Sequence, residues 1–349
     1  METLWFCLVA VMIAAYVVFD GFDLGAGLVH LFAGRTERER ESILASIGPV
    51  WDGNEVWLLA GGGTLYFAFP ALYAASFSGF YLALMIVLWL LVLRGIAIEF
   101  RNHIQSEMWM PFWDLVFGGA SGLLALLYGV ALGNVVRGVP LGPDGFFFLP
   151  LWTNLLPGPP AGIVDWYTVL TGLASLSALW LHGSLWVALK TLGPVRARAA
   201  SFARIGWWAT LAVTAVVTAV SFSIQPHLWE RFSTAPWGFV FPALSLAGLG
   251  GIHVFSHRGH DGKAFLSSCA YLLGMMTSVV FGVYPYVLPS NTDTQRSLTV
   301  YNAAAAHYGL VVGLSWWIPG ICLTTAYFVF AYRHSHGRIP VSEEADRAS

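Results

Sequence analysis

A chain of 349 residues that is 57% hydrophobic and only 10% charged cannot be an ordinary soluble domain, in which about 25% of residues carry charge. Its formal net charge is −2, and no nucleic-acid partner is expected. Crossing a hydrocarbon core takes about 20 consecutive apolar residues, and nine such runs are legible, near 4–33, 55–72, 76–100, 112–136, 164–190, 204–224, 237–256, 264–288 and 307–332. Backbone groups must pair internally in lipid, and these runs are too long and evenly apolar for barrel strands. The expected fold is an all-α polytopic membrane protein, one integral membrane domain over 1–349.

The first run opens METLWF, without a basic stretch, and holds two acids at its centre, so it is expected to stay as a helix rather than be cleaved as a signal peptide. Those acids, Asp20 and Asp23, sit in YVVFDGFDLGAGL. At about 100° per residue they share one face, which cannot point at lipid. Gly21 and Gly25 form a G-x-x-x-G pair along a neighbouring stripe, an invitation for another helix to approach closely. With a membrane boundary near His30 to Gly34, Asp20 lies roughly 15–20 Å deep, close to the midplane.

Next comes a loop, 34–54, whose TERERESILASI begins at a candidate N-cap, Thr36, and turns apolar, as a short amphipathic helix on the membrane surface does. Its charge run also reads as a solvated face. The second run then begins with PVWDGNEVWLL, where Asp52 and Glu55 are again three apart, flanked by Trp51 and Trp57. Gly61, Gly62 and Gly63 are expected to admit a neighbouring helix. The third run ends in LRGIAIEFR, which carries Arg94 and Glu99. Five carboxylates face one arginine between the midplane and one surface. An unpaired charge there costs several kcal/mol, so Arg94 is the expected counter-ion. The surplus acids cannot all stay charged in low dielectric, and one or two should hold protons reversibly. A buried ion-pair network that only locks three helices together is the competing reading.

Farther along, an outer loop at 137–163 is rich in Pro, Gly and aromatics, as an interfacial cap is, and a tail occupies 334–349. Nine spans put Arg137, Arg231 and Arg296 on one side and the other 14 of the 17 basic residues opposite, so the N-terminus is expected outside and the C-terminus in the cytoplasm. Cys7, Cys269 and Cys322 are too scattered for a disulfide framework or a metal site. His182 and His253 are the best intramembrane histidines. A buried neutral histidine with one hydrogen bond is commoner than a haem ligand, and no metal or haem is expected on this chain.

FDGFDLGAG, then WDGNEVWL, GGGTLYFAFPALYAASFSGFY and LRGIAIEFR together resemble subunit II of the cytochrome bd-type quinol oxidases, most densely over residues 16–103. The resemblance implies two four-helix bundles plus a peripheral helix, paired with a haem-bearing subunit I that holds haems b and d. It implies a complex that oxidises quinol outside and reduces O₂ to water with cytoplasmic protons, in a bacterial or archaeal inner membrane. It implies a haem-free subunit whose proton path includes Asp20, Asp23, Asp52 and Glu99, the last standing where the family carries Asp; Glu55, three residues after Asp52, is expected to join them. A structural quinone beside Trp51 and Arg94, membrane lipid, and a small single-helix accessory subunit are optional members of that assembly. A proton-coupled secondary transporter would also bury acids and an arginine. Such folds usually show repeats with broken helices in both halves, whereas here the charges crowd into the first three spans. A purely structural scaffold subunit is the third reading.

Overall fold

The first helix, α1 (Glu2–Ala33), is the axis of the molecule, and nearly every side chain from Asp20 to His30 is buried. In this computed structural model, which describes residues 1–339, α1 is followed by α2 (Glu37–Ile47), α3 (Trp51–Ala68), α4 (Pro70–Gly79), α5 (Tyr81–Phe100) and α6 (Trp109–Arg137). The second half contains α7 (Trp166–Lys190), α8 (Gly193–Ile224), the short α9 (His227–Thr234), α10 (Val240–His257), α11 (Asp261–Val283) and α12 (His307–His334). Among the described residues, eight helices are long and apolar enough to span a membrane, and α3 with α4 make a ninth candidate only as a bent pair. The tail expected at 334–349 lies partly outside the described residues, and Arg347 wholly so.

Packing follows the small residues. A Cβ on Gly25 would lie 2.0 Å from the Leu179 carbonyl oxygen, and one on Gly183 would lie 2.1 Å from the Gly25 carbonyl carbon. Only glycine at both positions lets α1 and α7 cross backbone to backbone. On another side of α1, Gly27 meets Ser121 and Phe117 of α6. Helices α3 and α11 complete the shell around α1, while α12 buries only Leu310.

Three expectations are corrected. The run 55–72 is not one helix: α3 starts at Trp51 and ends at Ala68, and the chain turns by 120° into α4. Phe69 precedes a proline and takes φ −134°, ψ 63°, outside the helical region, and Pro70 opens the next helix with the fixed φ suited to that place. The run 264–288 ends as a helix at Val283, because Tyr286–Leu288 (β1) pairs antiparallel with Leu298–Thr299 (β2). Gly62 and Gly63 face no helix among the described residues, since a Cβ on either meets nothing within 4 Å.

α2 is stitched to its surroundings at its N-terminal end. Thr36 and Glu39 form a reciprocal capping box. Glu39 also pairs with Arg198 of α8 at 2.6 Å, whose Nε donates to the Ala33 carbonyl at the end of α1 at 2.7 Å. Burial alone raises the Glu39 carboxyl, but the hydrogen bonds from Arg198 and from the backbone amides of Arg35 and Thr36 hold it below the usual range. The chain's far end returns to the same place: Lys190 Nζ donates to the Ser335 carbonyl at 2.5 Å.

Candidate functional site

Asp20 projects from the middle of α1 to Arg94 on α5. Both terminal nitrogens of the guanidinium grip the carboxylate, Nη1 to Oδ2 at 2.8 Å and Nη2 to Oδ1, and neither residue is exposed. This fork-to-fork geometry satisfies both carboxylate oxygens and neutralises the charge inside an apolar bundle. Of the five acids that Arg94 could balance, the geometry selects Asp20. One turn before it, Tyr16 donates to the Tyr128 hydroxyl at 2.7 Å.

One turn after it, Asp23 points to α3. Its Oδ2 accepts from Asn54 Nδ2 at 2.7 Å, and the Asn54 oxygen accepts from the Tyr332 hydroxyl of α12 at 2.9 Å. Its Oδ1 is buried without a hydrogen-bond partner among the described residues. A wholly buried carboxylate with one oxygen idle is unusual, since buried polar atoms are nearly always paired.

The other candidates lie nearer the surface. Asp52, in the first turn of α3, is exposed and makes no hydrogen bond or ion pair among the described residues, and Glu55, one turn further, is half-buried. Glu99 is exposed at the end of α5, where its backbone carbonyl meets His103 Nδ1 at 2.9 Å. Trp51 packs toward Gly95, beside Arg94. The structure therefore joins Asp20 to Arg94 and Asp23 to Asn54, and leaves Asp52 and Glu99 outside that buried cluster.

A second cluster escaped the sequence reading. Asp114, near the start of α6 and 1% exposed, meets His30 Nε2 and Arg101 Nε, each at 2.5 Å, and accepts from Arg40 Nη1 at 2.7 Å. Arg101 reaches on to Glu37 at 2.6 Å. The available signal was an acid inside the apolar run PFWDLVF. Toward the opposite ends of α6 and α7, Arg137 is held by Asp165 and by the Asn134 amide oxygen at 2.6 Å.

The two intramembrane histidines singled out by the sequence stand in different surroundings. His182 is buried with Nδ1 at 2.7 Å from Ser268 Oγ and Nε2 at 2.9 Å from the Val18 carbonyl oxygen, so both ring nitrogens are engaged. His253 is exposed and lies against Trp207 and His257. No group of three or more His, Cys, Asp or Glu among the described residues is arranged to hold a metal ion.

Comparison with known proteins places this architecture. The family model described as cytochrome bd terminal oxidase subunit II matches residues 1–335. The probable cytochrome oxidase subunit 2 of Haemophilus influenzae is 31% identical, over 96% of this chain and 94% of that protein. The cytochrome bd-I ubiquinol oxidase subunit 2 of Escherichia coli is 29% identical over 99% and 96%, and the cytochrome bd ubiquinol oxidase subunit 2 of Bacillus subtilis is 29% identical over 96% and 97%. The solved bd oxidase of Geobacillus thermodenitrificans superposes with a TM-score of 0.66 at 17% identity, over 94% of this chain and 98% of that one, which speaks for a shared fold.

Proposed function

This chain belongs to the subunit II family of the cytochrome bd terminal oxidases, and from that premise we propose that it serves a bd-type quinol oxidase as the haem-free subunit that carries protons from the cytoplasm toward the O₂-reducing centre. The membership sets the transporter reading aside. The partner is a haem-bearing subunit I, whose haems b and d supply the redox chemistry when bound. The engaged ring nitrogens of His182 support the absence of haem from this chain. The 14-to-3 split of basic residues supports an N-terminus outside, with 34–54 cytoplasmic and 137–163 outer.

The roles of the acids follow from their partners. Asp20 spends both oxygens on Arg94 and acts as a fixed counter-ion. Asp52, exposed at the mouth of α3, can exchange protons with water, and Glu55 follows it one turn deeper. Asp23 is the buried acceptor: Asn54 fixes one oxygen and leaves the other open to take and release a proton. That idle Oδ1 is the single observation that carries the proposal. Glu99 sits at the rim on α5 as a second entry group. A quinone beside Trp51 would reach Arg94 only by displacing the packing around it, because the guanidinium is bound to Asp20 and its Nε, without a hydrogen-bond partner among the described residues, is buried.

The test is Asp23→Asn in the assembled oxidase. Asn keeps the size but cannot cycle a proton, so haem content and electron entry should stay near normal while quinol oxidase turnover falls by about two orders of magnitude. Full turnover in that variant would remove Asp23 from the path and leave a structural scaffold as the function of this chain.

A further inference from the structure

One groove remains outside the proton path. It lies where α7, α8, α10 and the first residue of α11 meet, encloses 190 Å³, and is lined by Arg204, Trp207, Trp208, His253, His257 and Asp261 among others. It shares an end of the bundle with α2, because Arg198 of α8 ties into Glu39.

Its charge is one-sided. The sole acid in the wall, Asp261, is already held by two arginines, Arg196 and Arg338, each at 2.9 Å. Arg204, six residues from Arg198 along α8, is exposed and makes no hydrogen bond or ion pair among the described residues. The His253 ring is likewise without a hydrogen bond, whereas His257 Nδ1 meets the His253 carbonyl oxygen at 2.8 Å. A free guanidinium and two imidazole edges thus converge with no carboxylate left to answer them, which suits a phosphate.

Apart from Ser256, the rest of the groove is apolar and aromatic. The Trp207 indole N–H is spent on the Leu249 carbonyl at 2.9 Å, so its ring serves as a wall. Trp208 is 60% exposed, and Ile205 and Val216 continue an exposed apolar track along α8. An exposed tryptophan with a cation one turn before it and bare apolar helix beyond it matches an amphiphile better than a soluble anion. We propose that this groove binds one anionic phospholipid, with its phosphate at Arg204, His253 and His257 and its acyl chains along Trp208 and the α8 track.

The test uses the oxidase complex purified in mild detergent, exposed to phosphatidylglycerol or to phosphatidylcholine of the same chain length, with retained lipid counted by native mass spectrometry. One phosphatidylglycerol should be retained in preference to phosphatidylcholine. Arg204→Gln should weaken retention about fivefold, the share of one basic residue at a membrane surface, and Arg204→Lys should keep most of it. A photoreactive phosphatidylglycerol should label 204–208 or 252–257. Equal retention of both lipids, unchanged retention in Arg204→Gln, or labelling confined to other segments would overturn the proposal. Displacement of the lipid by millimolar inorganic phosphate would do so too, because it would make the groove a site for a free anion.

Discussion

Arg94 and Asp20 meet through two parallel hydrogen bonds in the interior of the bundle, with no exposed surface on either residue. A pair of this kind adds little net stability over an apolar pair of similar shape, but breaking it from one side is costly. Arg94→Ala should therefore destabilise the chain by about 3–5 kcal/mol by leaving a bare carboxylate in low dielectric. Adding Asp20→Asn to it should recover much of the loss. Yield of assembled oxidase and its melting temperature would report this, and equal values for the single and double variants would separate the two residues.

Asp114 is shared more widely, because three cationic or polar partners converge on one carboxylate. Asp114→Asn keeps the shape but withdraws the charge from Arg101, which is 1% exposed. Glu37 still answers Arg101, so the expected cost is about 1.5–3 kcal/mol. Arg40→Ala should cost far less, since the Arg40 side chain is 26% exposed and water can replace it. Thermal unfolding of the two variant complexes checks the order, and a larger loss in Arg40→Ala would refute it.

What could be read in the sequence was what local chemistry dictates. Two acids three residues apart in an apolar run can only face inward, and G-x-x-x-G can only mean close approach, so Asp20, Asp23 and the α1 interface were legible. The identity of partners was not. Asp114 draws His30, Arg40 and Arg101 from positions 84, 74 and 13 residues away, and no periodicity encodes such separations. Pro70 did mark the break between α3 and α4, but hydropathy runs unbroken through 55–72 and hides it. At 286–288, Tyr-Val-Leu is as apolar as a helix end, and only its pairing with 298–299 makes it a strand.

Gly25 offers a check on packing alone. Its absent Cβ would lie 2.0 Å from the Leu179 carbonyl oxygen and 2.7 Å from Gly183, so Gly25→Ala must push α1 and α7 apart. A cost of about 1–3 kcal/mol is expected from overpacking, visible as a lower melting temperature of the complex. The shift should also disturb Asp20, one turn or so away on α1, and with it turnover. An unchanged melting temperature would mean that the two helices cross elsewhere.

Acid should loosen the α2 end first. The Glu39 carboxyl is held below its usual range in the folded chain by Arg198 and two backbone amides. A depressed value gives stability that is complete above the unfolded pKa of about 4.3 and fades as pH falls through the lower folded value. Wild-type complex should therefore lose stability more steeply below about pH 4.3 than Glu39→Gln does. Melting temperatures measured at stepped pH decide it, and parallel curves for the two proteins would show that the ion pair carries no such linkage.

Asp52 and Glu99 test the entry of protons rather than their storage. Both are exposed, so either neutral variant should fold and assemble normally. If protons enter mainly along α3, Asp52→Asn should lower quinol oxidase turnover by about two orders of magnitude, while Glu99→Gln leaves most of it because water still reaches Asp52. Electron entry into the partner's haems should be fast in both variants, which separates a proton defect from a damaged complex. Raising the proton concentration should restore part of the turnover of Asp52→Asn, since delivery by free protons then substitutes for the lost carboxylate, whereas a misfolded site would gain nothing. Loss of turnover in Glu99→Gln with Asp52→Asn unaffected would move the entrance from α3 to the end of α5, leaving Asp23 as the buried acceptor of protons that arrive from the other side of Arg94.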